Sequence, residues 1–130
     1  MSKEIKLNKS TMIVSETNKK GIITYVNDDF CKISGYSKDE LIGQPHNMVR
    51  HHDMPKVAFR GLWDTMKNGG TWKGIVKNFC KNGDFYWVAA TAFPVVKKNG
   101  KMKLISIRTK PTKKEIESAH KLYKELKGKE

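Results

Sequence analysis

The residues best equipped for chemistry fall in two short stretches of the chain. The first, His46-Asn-Met-Val-Arg-His-His-Asp53, gathers three imidazoles, a guanidinium and a carboxylate within eight residues. Arg50 offers a planar fork that pairs bidentately with phosphate oxygens or a carbonyl. A salt bridge from Arg50 to Asp53 that only holds the loop would serve the same residue types. His46, His51 and His52 lack the i, i+4 helical spacing of a zinc motif and have no Cys or Glu partner arranged as one, so no metal site is expected. One of them would suffice as the axial ligand of a heme. His52 reads as an exposed loop residue, and His120 as a surface residue of the last helix.

The second stretch alternates. Trp72, Gly74, Val76, Asn78 and Cys80 share one face of a strand, and Lys73, Ile75, Lys77, Phe79 and Lys81 share the other. The first face carries no charge, so the Asn78 amide on it needs hydrogen-bond partners. A heterocyclic ring edge with carbonyls and ring nitrogens would supply them, and so would local backbone. Gly74 leaves room there for a ring to lie flat on the sheet. No Ser-His-Asp pattern, paired carboxylates or phosphate-binding glycine loop emerges, and an enzyme is not expected.

These stretches need elements to hold them. Residues 1–11 read as a loosely held polar arm. Met12–Thr17, the turn Asn18–Gly21 and Ile22–Val26 read as strand, turn and strand. Asn27 caps a short helix followed by Gly35, and Ser37 with Glu40 forms a capping box for a second, closed by Gly43 and Pro45. Pro55 starts a third helix, with Asp53 or Met54 as its cap. On that helix Phe59, Leu62, Trp63 and Met66 form one apolar stripe before Asn68-Gly69-Gly70. Three strands then meander through the turns Asn82-Gly83 and Lys97–Gly100. Thr112 and Glu115 box the start of a terminal amphipathic helix over 112–130. The expected fold class is α+β: an antiparallel five-stranded sheet with short helices packed on one face, plus a C-terminal helix. A ligand would sit between sheet and helices.

The chain has 130 residues, room for one core, and the sensor unit is placed at 12–111. No run approaches the roughly 20 apolar residues of a membrane span, and the first residues lack a signal-peptide core. Two cysteines are too few for a disulfide framework. A cytoplasmic location without membrane insertion is the expectation. The net charge of +13 invites nucleic acid, an anionic surface or an acidic partner. The basic residues are mostly lysine and spread over the whole chain, with no zinc-finger spacing or RNA-binding sheet signature, which argues against nucleic acid.

Tyr25-Val-Asn-Asp-Asp-Phe30, Gly35-Tyr-Ser37, Gly43-Gln-Pro-His-Asn-Met-Val-Arg-His51, Asp53-Met-Pro55 and Gly74-Ile-Val-Lys-Asn78 together resemble the PAS domains of the bacterial aerotaxis-receptor type. With Lys81–Asp84, Tyr86-Trp87 and Ser106–Thr109, the likeness runs from about Met12 to Ile116. The resemblance implies a PAS fold and a noncovalently held FAD that reports redox or oxygen-linked energy state. It places flavin contacts at Arg50, His51, Asp53 and Asn78, with Trp72 packing nearby. His52 departs from it, standing where the family usually has proline. The family's membrane segment, HAMP region and signalling coiled coil are missing from this sequence. Output would therefore pass to a separate chemotaxis-type transducer, membrane-bound or cytoplasmic, with homodimerisation through the PAS surface or terminal helices as a further option. The Asn-Cys-Arg-Phe motif of LOV photoreceptors is not found in His46–Arg50, so adduct photochemistry is not expected. A cofactor-free interaction module and a heme gas sensor remain the alternative functions.

Overall fold

The computed structural model describes residues 2–130. The first strand, β1 (Ile13–Asn18), alternates buried and half-buried positions and turns back into β2 (Ile23–Val26). The Asn18 side chain holds that turn by accepting from the Lys20 and Ile22 amides, and Gly21 supplies a φ of +81°.

Three helices follow in quick succession because caps and glycines punctuate them. Asn27 accepts from the Phe30 amide at 3.2 Å to open α1 (Asp28–Ser34), and Gly35 closes it in the left-handed region. The Ser37–Glu40 capping box opens α2 (Lys38–Leu41), which stops at an extended Ile42, one residue before the expected Gly43. A 3-10 turn over His46–Val49, not foreseen from the sequence, then leads to α3 (Lys56–Lys67). Neither Asp53 nor Met54 caps α3. The Asp53 carboxylate is drawn 2.9 Å to the Lys77 ammonium, and Pro55 holds the cap position. The free Lys56 amide donates instead to the Glu130 carboxylate at 2.6 Å, from the far end of the chain.

The sheet is completed by β3 (Trp72–Phe79), β4 (Phe85–Val96) and β5 (Met102–Thr109), in the order β2-β1-β5-β4-β3 with antiparallel neighbours throughout. Register decides what faces the helices. Trp72 lies opposite Ala92, Ala92 opposite Ser106, and Ser106 opposite Ser15, forming one row across four strands. Gly74, Ala90 and Arg108 form the next row, ending at Ile13. Small residues therefore floor the middle of the inner face. Large ones fill its end, where Tyr86 and Val88 pack with Phe30, Leu41 and Val49.

The fourth helix, α4 (Lys113–Gly128), opens with the Thr112–Glu115 capping box and crosses the outer face of the sheet. There the Tyr123 hydroxyl donates to the Ile75 carbonyl at 2.6 Å and its ring stacks on Trp87. The N-terminal arm is not loose. The ladder between β4 and β5 begins only at Ala89, so the start of β4 has free backbone groups on that side. Ile5 donates to the Phe85 carbonyl at 2.7 Å, Phe85 donates to Lys3 at 3.0 Å, and Leu7 enters the core at 3% exposure.

Candidate functional site

A cavity of about 460 Å³ lies between the inner face of the sheet and α3, within the range of small-molecule sites. Its floor is made of the small residues of the two rows: Ser15, Ser106, Ala90 and Ala92. Its roof is the apolar stripe of α3, where Phe59, Leu62 and Trp63 point at the sheet rather than fill it. The pocket exists because the floor side chains are too short to meet that roof.

Three of the five residues expected to hold a ligand line this cavity: Arg50, Trp72 and Asn78. Arg50 is exposed at the rim, its guanidinium 4.5 Å from the Phe59 ring centre, and backbone bridging sets it opposite Asn78. Arg50 does not pair with Asp53, since Lys77 takes that carboxylate. Trp72 lies flat across Gly74. Asn78 is 3% exposed. Oriented to satisfy both ends, its amide nitrogen donates to the Val49 and Lys77 carbonyls at 3.2 Å each. Its nitrogen thus serves local backbone, tying the 3-10 turn to β3, and its carbonyl oxygen remains as an acceptor.

His51 and Asp53 sit elsewhere. The His51 ring stacks on Phe79, a residue of the outer face, with centroids 4.0 Å apart. Its Nδ1 accepts from the Asp53 amide at 3.0 Å. Burial, followed by the nearby Lys77 charge, pushes its pKa from 6.5 down to about 4, which keeps it neutral. Asp53 is held below its ordinary pKa, chiefly by its hydrogen bond to Lys77. Ligand atoms of His51, His52 and Asp53 do lie within 4.8 Å of one another, a grouping the sequence spacing did not suggest. The Lys77 ammonium at Asp53 and the amide at His51 Nδ1 already engage that group.

At the buried end of the cavity lies a polar cluster that sequence reading did not single out. Arg108, 2% exposed, donates from Nη2 to Ser15 Oγ at 2.7 Å. Ser15 Oγ is 3.0 Å from His46 Nε2. The serine oxygen accepts from arginine and also bonds His46 Nε2, with donor and acceptor set by the imidazole tautomer. Burial, with the Arg108 charge second, pushes the His46 pKa from 6.5 down to about 3. Arg108 Nε and Thr17 Oγ1, both on the cavity wall, are buried without a partner, as is Tyr86 Oη in the core behind it.

Neither cysteine lines the cavity. Burial raises the pKa of both thiols, that of Cys80 to about 11, so neither is a ready thiolate. At the solvent side Lys19 and Lys20 join Arg50, giving the rim three cationic side chains.

Comparison with known proteins agrees with this geometry. The family described as PAS fold matches residues 23–108. The aerotaxis receptor of Escherichia coli is 52% identical over 116 residues, which cover 89% of this chain and 23% of the receptor. The chain thus spans about a quarter of the length of that relative. Among solved structures, a PAS domain from Colwellia psychrerythraea superposes with a TM-score of 0.64 at 25% identity, covering 79% of this chain and 88% of that one. The dark structure of the blue-light photoreceptor Aureochrome1 LOV superposes with a TM-score of 0.72, covering 82% and 80%; at 14% identity it speaks to the fold alone.

Proposed function

Because the chain belongs to the PAS fold family and is a sensory signalling module of that kind, we propose that its cavity holds FAD and that the domain reports redox state to a chemotaxis-type transducer. The observation that carries this reading is the cavity itself. It has a floor of small side chains, an apolar roof, a polar buried end and a cationic rim. An isoalloxazine ring has apolar faces and a polar edge, and a dinucleotide tail carries two phosphates. The residues fit such a group, since unpaired Arg108 Nε and Thr17 Oγ1 await partners inside and Lys19, Lys20 and Arg50 stand at the rim for phosphates outside. When bound, the flavin would supply reversible electron uptake, changing the charge and hydrogen-bonding pattern of its ring edge.

The protein's own residues would turn that change into a signal. Trp72 would pack on the ring and keep water from it. The free carbonyl oxygen of Asn78 would accept from a ring N–H. A shift of Asn78 would be felt at the Val49 carbonyl and in β3. On the far side of β3, Ile75 holds Tyr123 of α4. His51 and Asp53 would act on the ligand through Lys77 and the loop that carries Arg50. Aerotaxis is the reading drawn from the 52% identical relative, and a cytoplasmic location goes with it. Among the described residues no helix is long and apolar enough to cross a membrane.

For the heme reading, the structure offers His46 as the histidine on the cavity wall, and its Nε2 is engaged by Ser15. Comparing FAD with riboflavin tests the flavin reading. FAD should bind more tightly, and the gap should narrow as salt screens the rim charges. Equal affinities at low salt would remove Lys19, Lys20 and Arg50 from the site.

A further inference from the structure

Arg108 is an anomaly in energetic terms. A guanidinium taken out of water is costly unless a carboxylate or several acceptors meet it. Arg108 is 2% exposed and lies 4.6 Å from the Phe30 ring centre. Among the described residues it has one hydrogen bond, to the Ser15 hydroxyl, and no carboxylate within 4.0 Å. Its Nε has no hydrogen-bond partner. The other polar side chains near it are Ser15, Thr17, His46, Asn78 and Ser106 on the cavity wall and Tyr86 behind it, none of them carrying a charge. A structural arginine would have been given an acid. This one is fixed by Ser15 and faces the cavity.

We propose that Arg108, oriented by Ser15 and His46, is the receptor for negative charge on the bound ligand. Resting on the flavin reading above, that charge is the one the ring edge acquires on reduction. A two-electron donor, dithionite in the test below, passes two electrons to the oxidised flavin, which takes one proton from solvent and is left as an anion, its charge shared between N1 and the neighbouring carbonyl oxygen. The oxidised ring offers the same edge as a neutral acceptor. A fixed guanidinium, desolvated in advance, therefore binds the reduced state more tightly than the oxidised one. The neutral His46 matters because an imidazolium beside Arg108 would compete for the same edge.

The test is anaerobic, with dithionite as the reductant. Affinities for oxidised and reduced FAD are measured for the wild-type protein, Arg108→Met and Arg108→Lys, together with the midpoint potential and the pH at which the bound reduced ring gains its second proton. Arg108→Met should weaken reduced FAD roughly ten- to hundredfold more than oxidised FAD, the worth of one hydrogen bond to a charged group. Each tenfold lowers the two-electron midpoint by about 30 mV. Arg108→Lys should keep part of the preference, since charge remains without the fork. If Arg108→Met does not fold, an unchanged midpoint in Arg108→Lys is enough to overturn the assignment. Equal weakening of both redox states would make Arg108 a wall residue and also overturn it, while leaving the flavin reading intact. Wild-type protein that binds neither state sinks the flavin reading first and this inference with it.

Discussion

Gly74→Ala separates what the fold needs from what the site needs. A Cβ at Gly74 would stand 2.4 Å from Trp72 Cη2 and 2.6 Å from Cζ2, far inside contact distance. Gly74 lies on the edge strand β3, whose backbone is held by its ladder with β4 through the pair with Ala90, so the indole must give way. It has somewhere to go, because the cavity lies beside it. The folding cost is therefore at the low end of the roughly 1–3 kcal/mol typical of overpacking. The ligand meets the displaced ring. Losing on the order of 60 Å² of apolar contact at about 25 cal/mol per Å² removes about 1.5 kcal/mol, roughly tenfold in affinity. Thermal melting of the ligand-free protein and fluorescence titration with FAD read the two effects apart. Trp72→Phe lacks the outer ring carbons that collide, so the same alanine should cost less binding in that background. Unchanged FAD affinity in Gly74→Ala, or an equal loss in both backgrounds, would refute the reasoning.

Asn78→Ala should cost about 1–3 kcal/mol in a denaturant melt as well as flavin retention, because it strips the Val49 and Lys77 carbonyls of a buried donor; full flavin content in the purified variant would contradict its site role. Leu7→Ala should destabilise the domain by about 2–5 kcal/mol, since the arm is docked; a null effect would mean the arm is dispensable. His46 should make the protein acid-sensitive. Its folded pKa of about 3 lies below its ordinary 6.5, so the unfolded chain binds the proton first as pH falls. Stability is whole above pH 6.5 and declines toward pH 3, with about 2 kcal/mol lost to this group by about pH 5. His46→Gln should flatten that limb of a stability–pH curve, and an unaltered slope would place the titration elsewhere.

Much of the sheet was legible because its signals are local. The hairpin at Asn82-Gly83, the capping boxes at Ser37 and Thr112 and the apolar stripe of α3 each specify geometry within a few residues, and each forms as expected. The side of β3 that carries Asn78 was legible for the same reason. Arg108 was not. Along β5 the residues Ile105 and Ile107 look like the core face, yet the register with β4 sets Leu104, Ser106 and Arg108 inward. Period two gives alternation without saying which face is inner, and only long-range pairing resolves it. The destinations of Asp53 and Glu130 were hidden likewise, since Lys77 and the start of α3 reach them through the fold alone. The arm was misread because its polar composition masks Leu7, and the free edge of β4 that recruits it is a tertiary feature.

The most direct test of a flavin in this cavity is the absorption spectrum of freshly purified protein, followed by acid release and chromatography of the chromophore. The account predicts the two visible bands of an oxidised flavin and release of FAD in near one-to-one ratio with the chain, depleted in Asn78→Ala. A sharp Soret band, or colourless protein that takes up no FAD on reconstitution, would contradict it.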